Sequence, residues 1–104
     1  MGKIPASVEK SVRNFLDAAR RKYRISAAYL YGSQAKGTAS LWSDIDVALI
    51  SDDNSDDLFD ERLVLMRLAA RINDRIEPYP FTNQSFNENN PIASDIQRHG
   101  LRVE

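Results

Sequence analysis

Two short apolar runs, separated by a loop that begins with Gly-Ser and ends with Asp-x-Asp, constrain the fold of this chain most. Residues 25–31 have the composition of a strand, and Gly32 ends the run. Residues 45–50 form a second apolar run, with the length of a buried strand. A short helix can begin at Ser33, and Gly37 limits it to about one turn. The pattern therefore predicts a strand, a tight turn and a second strand.

Two longer segments have helical patterns. Apolar residues at helical spacing predict a first helix over about residues 5–22, with Pro5 in its first turn. A broad apolar face predicts a second, well-buried helix after the acidic loop SDDNSDD. Ser55 or Asp56 is expected to cap this helix, which should end near Asn73.

The C-terminal third adds another strand and a short helix. Residues 76–81 resemble a strand, and Pro78 and Pro80 predict that it is short or lies at a sheet edge, because proline cannot donate to a ladder. Pro91 predicts the start of a last helix, and the LRV that follows predicts a final short strand. Without a visible repeat or linker, residues 1–104 are expected to form one domain of mixed α/β type.

Composition excludes several classes of protein. The chain has no cysteine, so disulfides and thiolate metal sites are excluded. The net charge is -1, so we expect no direct nucleic-acid partner. No apolar run has the roughly 20 residues of a membrane helix, and the N-terminus lacks a signal-peptide core. A soluble, cytoplasmic protein without a membrane partner is expected.

The Asp-x-Asp motif places two carboxylates at the start of the second strand. Side chains alternate along a strand, so Asp44 and Asp46 should project to the same side, roughly 7 Å apart. Two like charges this close are unfavourable unless something neutralises them. Mg²⁺ prefers oxygen ligands and is commonly held by one or two carboxylates together with substrate phosphates. The motif therefore suggests a magnesium site.

The Gly-Ser turn suggests the matching phosphate site. Gly32 would allow a close approach of the backbone to a ligand, and free N–H groups at a helical turn from Ser33 would attract an anion. Lys36 lies close enough in sequence to touch a phosphate, and a solvated loop lysine fits it equally well. Each half of the motif alone fits an ordinary turn or strand end. Their joint occurrence between two strands favours a site for a triphosphate and Mg²⁺.

The stretch YLYGSQAKGTASLWSDIDVALI resembles the minimal nucleotidyltransferase (MNT) family of the DNA polymerase beta-like nucleotidyltransferase superfamily. The resemblance implies a small mixed β-sheet with helices packed mainly on one face. It implies that Gly32 and Ser33 contact nucleotide phosphates, and that Asp44 and Asp46 bind Mg²⁺. Family members use a third carboxylate on a later strand, and Glu77 is the candidate here, either as a metal ligand or as the base for the attacking hydroxyl. A solvated charge on an edge strand is the alternative for Glu77.

The resemblance also implies a partner. Larger members carry a helical domain that helps to bind the base and the acceptor, and we expect the 104 residues to leave no room for one. MNT proteins are commonly paired with HEPN-domain toxins, and active members transfer AMP from ATP to a tyrosine of the toxin. An Mg²⁺-dependent adenylyltransferase acting as antitoxin in a hetero-oligomer is therefore expected. Two alternatives are an antitoxin that acts by binding alone and nucleotidyl transfer to a small molecule. Trp42, just before the aspartates, could stack on a base, pack in the core or contact a partner.

Overall fold

A computed structural model describes residues 4–40, 42–52 and 57–103. Helices and strands follow one another along the chain as the sequence patterns indicate. The elements are α1 (Ala6–Arg20), β1 (Ile25–Tyr31), α2 (Ser33–Lys36), β2 (Ile45–Ser51), α3 (Leu58–Ala70), β3 (Ile76–Thr82), α4 (Pro91–His99) and β4 (Leu101–Arg102). Within these ranges, none of the helices has the length and apolar character needed to cross a membrane.

The four strands form one mixed sheet in the order β3-β2-β1-β4. β1 pairs with β2 and with β4 in the antiparallel direction. β2 pairs with β3 in the parallel direction, and α3 provides the crossover between them, as parallel neighbours require. The predicted small mixed sheet is confirmed.

The main core lies between one face of this sheet and the helices α1 and α3. Every third or fourth residue of α1 is buried, and β1 and β2 contribute alternate residues to the same core. Its largest fully buried side chains are Phe15, Leu30, Ile45, Val47, Leu49 and Leu65. Fully burying a side chain of this kind contributes about 1.5–3 kcal/mol of hydrophobic free energy.

The opposite face of β2 is also covered, which explains why this strand is apolar on both faces. Ala48 and Ile50 point away from the main core and are still buried. Their neighbours across the sheet are Tyr29 on β1 and Phe81 on β3. Phe86, from the loop after β3, contacts both rings, with centroid distances of 5.3 Å to Tyr29 and 5.2 Å to Phe81.

β3 is an edge strand of the sheet, as its two prolines predict. Pro78 and Pro80 face the same direction, since residues two apart in a strand repeat their orientation. Their missing N–H groups cost nothing at the edge. The Pro78 carbonyl accepts a hydrogen bond from Arg62 Nε of α3 at 3.2 Å, so α3 covers part of this edge.

Three predicted helix boundaries are wrong, namely both ends of α1 and the C-terminal end of α3. α1 ends at Arg20, with Arg21 as its C-cap, and Pro5 is its N-cap and not its first helical residue. α3 ends at Ala70, three residues before the predicted end. Asp57 is its N-cap, and its side chain accepts a hydrogen bond from the backbone N–H of Asp60.

The predicted caps Ser55 and Asp56 lie outside the described residues. Three consecutive residues of good capping type made this position ambiguous from sequence.

The prediction that α3 is well buried is also wrong in part. Its inner side buries Leu65 and Ala69 against the core. Its outer side exposes Phe59 by 73%, Leu63 by 41% and Met66 by 40%. Apolar residues surround much of this helix, so the sequence pattern alone did not identify which face packs on the sheet.

The capping bond of α3 makes a stability prediction. Asp57→Ala should lower the free energy of unfolding by about 1 kcal/mol, because the N–H of Asp60 loses its acceptor. Asp57→Asn keeps a good capping side chain and is the matched control. Urea unfolding of the three proteins measures the difference. An equal loss in both variants would show that the cap is not the cause.

Candidate active site

A glycine in a conformation unusual for other residues connects β1 to α2. Gly32 has φ 72° and ψ -145°, a region that is essentially restricted to glycine. It is the N-cap of α2, which is a single turn that ends at Gly37. The predicted one-turn helix after Gly-Ser is confirmed. Ser33 begins this turn and is half-buried.

The carboxylate of Asp46 lies directly against Gly32. A Cβ atom built on Gly32 would stand 2.6 Å from Asp46 Oδ2, closer than real Cβ contacts. Glycine is thus favoured here by its backbone conformation, and a residue with a Cβ would also make the Asp46 side chain shift. Ten residues separate the Gly-Ser half of the sequence motif from its Asp-x-Asp half. The two halves meet at this contact.

Three acidic residues lie close together beside this turn. Asp46 pairs with Tyr31 of β1 on one side and with Glu77 of β3 on the other. Asp44 comes directly before β2 and is exposed, whereas Asp46 and Glu77 are half-buried. Burial raises the pKa of Asp46, and the charges of Asp44 and Glu77 raise it further. The site therefore concentrates negative charge that its own residues do not fully neutralise.

The segment before β2 is fixed by hydrogen bonds that the sequence did not predict. Gln34, buried in α2, donates from Nε2 to the Asp44 carbonyl at 3.4 Å. Arg75 donates from Nε to the Ser43 carbonyl at 2.9 Å, and its own carbonyl accepts from the Ile45 N–H at 2.8 Å. These contacts position Asp44 relative to the Gly32 turn. No local sequence pattern identifies these hydrogen bonds, since Gln34 and Arg75 lie outside the segment that they bind.

Arg62 of α3 is a further residue at the site that the sequence analysis missed. Its guanidinium lies 4.3 Å from the ring centroid of Tyr79, and its Nη2 lies 3.9 Å from Glu77 Oε2. Tyr79 in turn contacts Tyr31, with a centroid distance of 6.1 Å. Burial, followed by the charge of Asp46, raises the pKa of Tyr31, so its hydroxyl is harder to ionise than that of an exposed tyrosine. A cation and two phenols thus surround the two strand carboxylates.

The carboxylates fit a magnesium ion that a substrate helps to bind. Across the residues described, no group of three or more His, Cys, Asp or Glu side chains is arranged to hold a metal ion by itself. Mg²⁺ needs only one or two carboxylates when substrate phosphates supply the other ligands. Asp44 and Asp46 have the right chemistry for that pair, and their two charges lie close enough that Asp44 adds to the effect of burial in raising the pKa of Asp46. The third carboxylate, that of Glu77, lies 3.9 Å from the Arg62 guanidinium and forms an ion pair with it.

Two other residues considered from sequence lie at the edge of this region. Lys36 is the last residue of α2 and is exposed. Trp42 is 87% exposed, so it is not a core residue. Its backbone N–H donates to Ser40 Oγ at 3.3 Å.

Comparison with known proteins identifies the family. A family model described as "Polymerase beta, Nucleotidyltransferase" matches residues 14–103. The chain belongs to this family. All of the site residues predicted from sequence lie within the matched range, and the predicted class of enzyme, a nucleotidyltransferase, is confirmed.

A curated relative of this nucleotidyltransferase comes from Methanocaldococcus jannaschii. It bears the name "Putative protein adenylyltransferase MJ0604" and is 32% identical over 82 residues. The matched region covers 76% of this chain and 82% of the relative. The relative is therefore similar over most of both chains.

Two solved structures share the fold of this nucleotidyltransferase. A toxin-antitoxin crystal structure with AMP-PNP has a TM-score of 0.65 at 23% identity, and the similarity covers 92% of this chain and 72% of that one. A "putative nucleotidyltransferase" from Sulfolobus solfataricus has a TM-score of 0.54 at 20% identity, covering 99% and 88%. At these identities the similarity establishes the fold, and the predicted polymerase beta-like architecture is confirmed.

Proposed function

We propose that residues 1–104 form one catalytic domain that transfers AMP from ATP to a tyrosine hydroxyl of a HEPN-domain toxin, and thereby act as its antitoxin. The observation that carries the proposal is the contact of the Asp46 carboxylate with the Gly32 turn, beside Asp44 and Glu77. The name of the archaeal relative supports protein adenylylation. The toxin-antitoxin structure with AMP-PNP supports a toxin partner and an adenine nucleotide.

The proposed binding mode uses the turn for the phosphates and the carboxylates for Mg²⁺. The Gly32 backbone and Ser33 would contact the triphosphate, because a residue without a side chain allows the ligand to approach. Asp44 and Asp46 would hold Mg²⁺, with Glu77 as a third ligand or as a base. When bound, Mg²⁺ would neutralise the charge that develops on the phosphate oxygens.

The proposed reaction is an in-line displacement at the α-phosphorus. The tyrosine oxygen of the acceptor forms a bond to the α-phosphorus, and the bond to the bridging oxygen of the β-phosphate breaks. Pyrophosphate leaves, and Glu77 takes the proton of the tyrosine hydroxyl. Positioning and charge neutralisation would provide most of the rate enhancement, since the protein supplies no covalent intermediate.

The direct test combines the purified protein, ATP, Mg²⁺ and the toxin encoded beside it. We expect the intact mass of the toxin to increase by one adenylyl group and peptide mapping to locate it on a tyrosine. A toxin with that tyrosine replaced by phenylalanine is the matched control and should stay unmodified. A toxin that is neutralised without any mass change would refute the transfer and support an antitoxin that acts by binding alone.

Glu77→Gln tests the role of the third carboxylate. The substitution keeps the shape of the side chain and removes its ability to accept a proton, so we expect transfer to slow by about 10²-fold. Arg62→Gln, which alters the partner of Glu77 and leaves the carboxylate in place, is the companion variant. Single-turnover rates with saturating ATP measure both. Full activity of Glu77→Gln would mean that this residue is only a charge on the edge strand.

A further inference from the structure

The outer face of α3 carries an apolar stripe that the described fold leaves exposed. Phe59, Leu63 and Met66 are 73%, 41% and 40% exposed, and the exposed Ala70 continues the line. The spacing of four, three and four residues places all four on one line of a helix with 3.6 residues per turn. We call these four residues the α3 stripe.

Charges of opposite sign border one side of the α3 stripe. Asp60 and Arg67 are both exposed and stand seven residues apart, so they lie on the same flank. The other flank carries Arg62, which the chain already engages through the Pro78 carbonyl and the Tyr79 ring. On α3, the flank with Asp60 and Arg67 therefore offers exposed charges of both signs to an approaching helix.

We infer that the α3 stripe is the docking surface for a second copy of this chain, with the two α3 helices antiparallel about a two-fold axis. This pairing sets Leu63 against the partner's Met66 and Phe59 against the partner's Ala70. The two-fold axis also brings like flanks together. Asp60 then lies opposite the partner's Arg67, and Arg67 lies opposite the partner's Asp60.

Charge complementarity favours a second copy over an unrelated helix. In an antiparallel pair of identical helices, a residue before the axis faces a residue after the axis on the other copy. Opposite charges on either side of the axis, such as Asp60 and Arg67, therefore attract each other twice. An unrelated partner helix would not require charges of opposite sign on the same flank of α3. The inference does not depend on the proposed transfer reaction.

The size of the surface sets the expected strength. α3 has 13 residues and is about 20 Å long, so the α3 stripe offers less than the roughly 800 Å² per partner of a standard interface. We therefore expect a weak dimer that dissociates in the micromolar range. The self-association should depend clearly on protein concentration.

Sedimentation equilibrium over micromolar to millimolar concentrations tests the apolar contact. The wild type should approach dimeric mass, and Leu63→Glu should stay monomeric across the range. Ile92→Glu is the matched control, since Ile92 on α4 is 61% exposed and lies off the α3 stripe. It should dimerise like the wild type. Circular dichroism confirms that each variant is folded before its mass is interpreted.

Charge reversal tests the orientation. Asp60→Arg and Arg67→Asp should each weaken self-association by at least about 10-fold, because like charges then meet twice across the axis. An equimolar mixture of the two variants should form a dimer, since each positively charged flank then meets a negatively charged one. A tag on one variant identifies the mixed species.

Four results would overturn the inference. The first is a wild type that stays monomeric at millimolar concentration. The second is a dimer that survives Leu63→Glu, and the third is a mixture of the charge variants that associates no better than either alone. A monomeric wild type whose α3 stripe variants lose a different protein partner would also overturn it, and would assign the stripe to that partner.

Discussion

Replacing both Asp44 and Asp46 with asparagine should abolish adenylyl transfer to the toxin while leaving the protein folded. Asparagine keeps the size of the side chain and removes the charge that would hold Mg²⁺. We expect a loss of at least about 10³-fold in the single-turnover rate, equivalent to about 4 kcal/mol of transition-state stabilisation. Radiolabelled ATP and quantification of the labelled toxin measure this rate.

Stability provides the second readout for this double variant. In the wild type, burial and the charges of Asp44 and Glu77 raise the pKa of Asp46. The ionised form of Asp46 therefore lowers the stability of the folded protein. Removing both charges relieves that repulsion, and the midpoint of thermal unfolding should be unchanged or higher. An inactive variant that is equally stable assigns the loss to the site and not to unfolding.

A second double variant controls for the change in net charge. Asp17→Asn combined with Asp95→Asn removes two exposed carboxylates on α1 and α4. Asp17 pairs with Arg20, and Asp95 is hydrogen-bonded to His99, each on its own helix. Such pairs contribute little to stability. Transfer by this variant should equal that of the wild type. Transfer that survives Asp44→Asn plus Asp46→Asn would refute the proposed role of both residues.

Those features of the fold that depend on local chemistry were predictable. The strand over residues 45–50, the single turn after Gly32 and the edge position of β3 each follow from residues whose backbone preferences leave few options. Pro78 and Pro80 exclude a central strand because each lacks a donor. The approach of Gly32 to Asp46 was also predictable, since Gly32 directly follows β1, Asp46 lies near the start of β2, and these two strands pair.

Features that depend on the packing of distant elements were not predictable. Arg62 reaches Glu77 and Tyr79 only because α3 packs beside β3 and the side of α3 that carries Arg62 faces this strand. Apolar residues around much of α3 are compatible with several rotations of the helix, so the sequence did not reveal that Phe59 and Leu63 face outward. Tertiary contacts decide between these rotations.

Gly32→Ala should destabilise the protein and displace the Asp46 carboxylate. Alanine at φ 72° and ψ -145° adopts a conformation that costs about 1–3 kcal/mol. Its Cβ would also stand 2.6 Å from Asp46 Oδ2, so the carboxylate must shift. A displacement of about 1 Å at a catalytic group can cost about 10²-fold in rate. We therefore expect lower stability in urea together with at least about 10²-fold slower transfer by the folded protein.

Gly37→Ala is the matched control, because it makes the same change at the other end of α2. Gly37 has φ 75° and ψ 16°, and no heavy atom lies within 4 Å of a Cβ built there. This substitution carries only the cost of a left-handed backbone, about 1–2 kcal/mol, and should leave the transfer rate of the folded protein unchanged. Equal transfer rates for the two glycine variants would show that the contact between Gly32 and Asp46 has no role in positioning the carboxylate.

A double-mutant cycle separates the two costs of Gly32→Ala. Asp46→Ala removes the carboxylate that the new Cβ meets and leaves the backbone conformation of Gly32 as it is. In that background, Gly32→Ala should lose less stability than in the wild type, because only the backbone cost remains. The difference between the two losses measures the steric contact. A zero difference would mean that Asp46 moves aside freely, and the glycine would then be required for its backbone conformation alone.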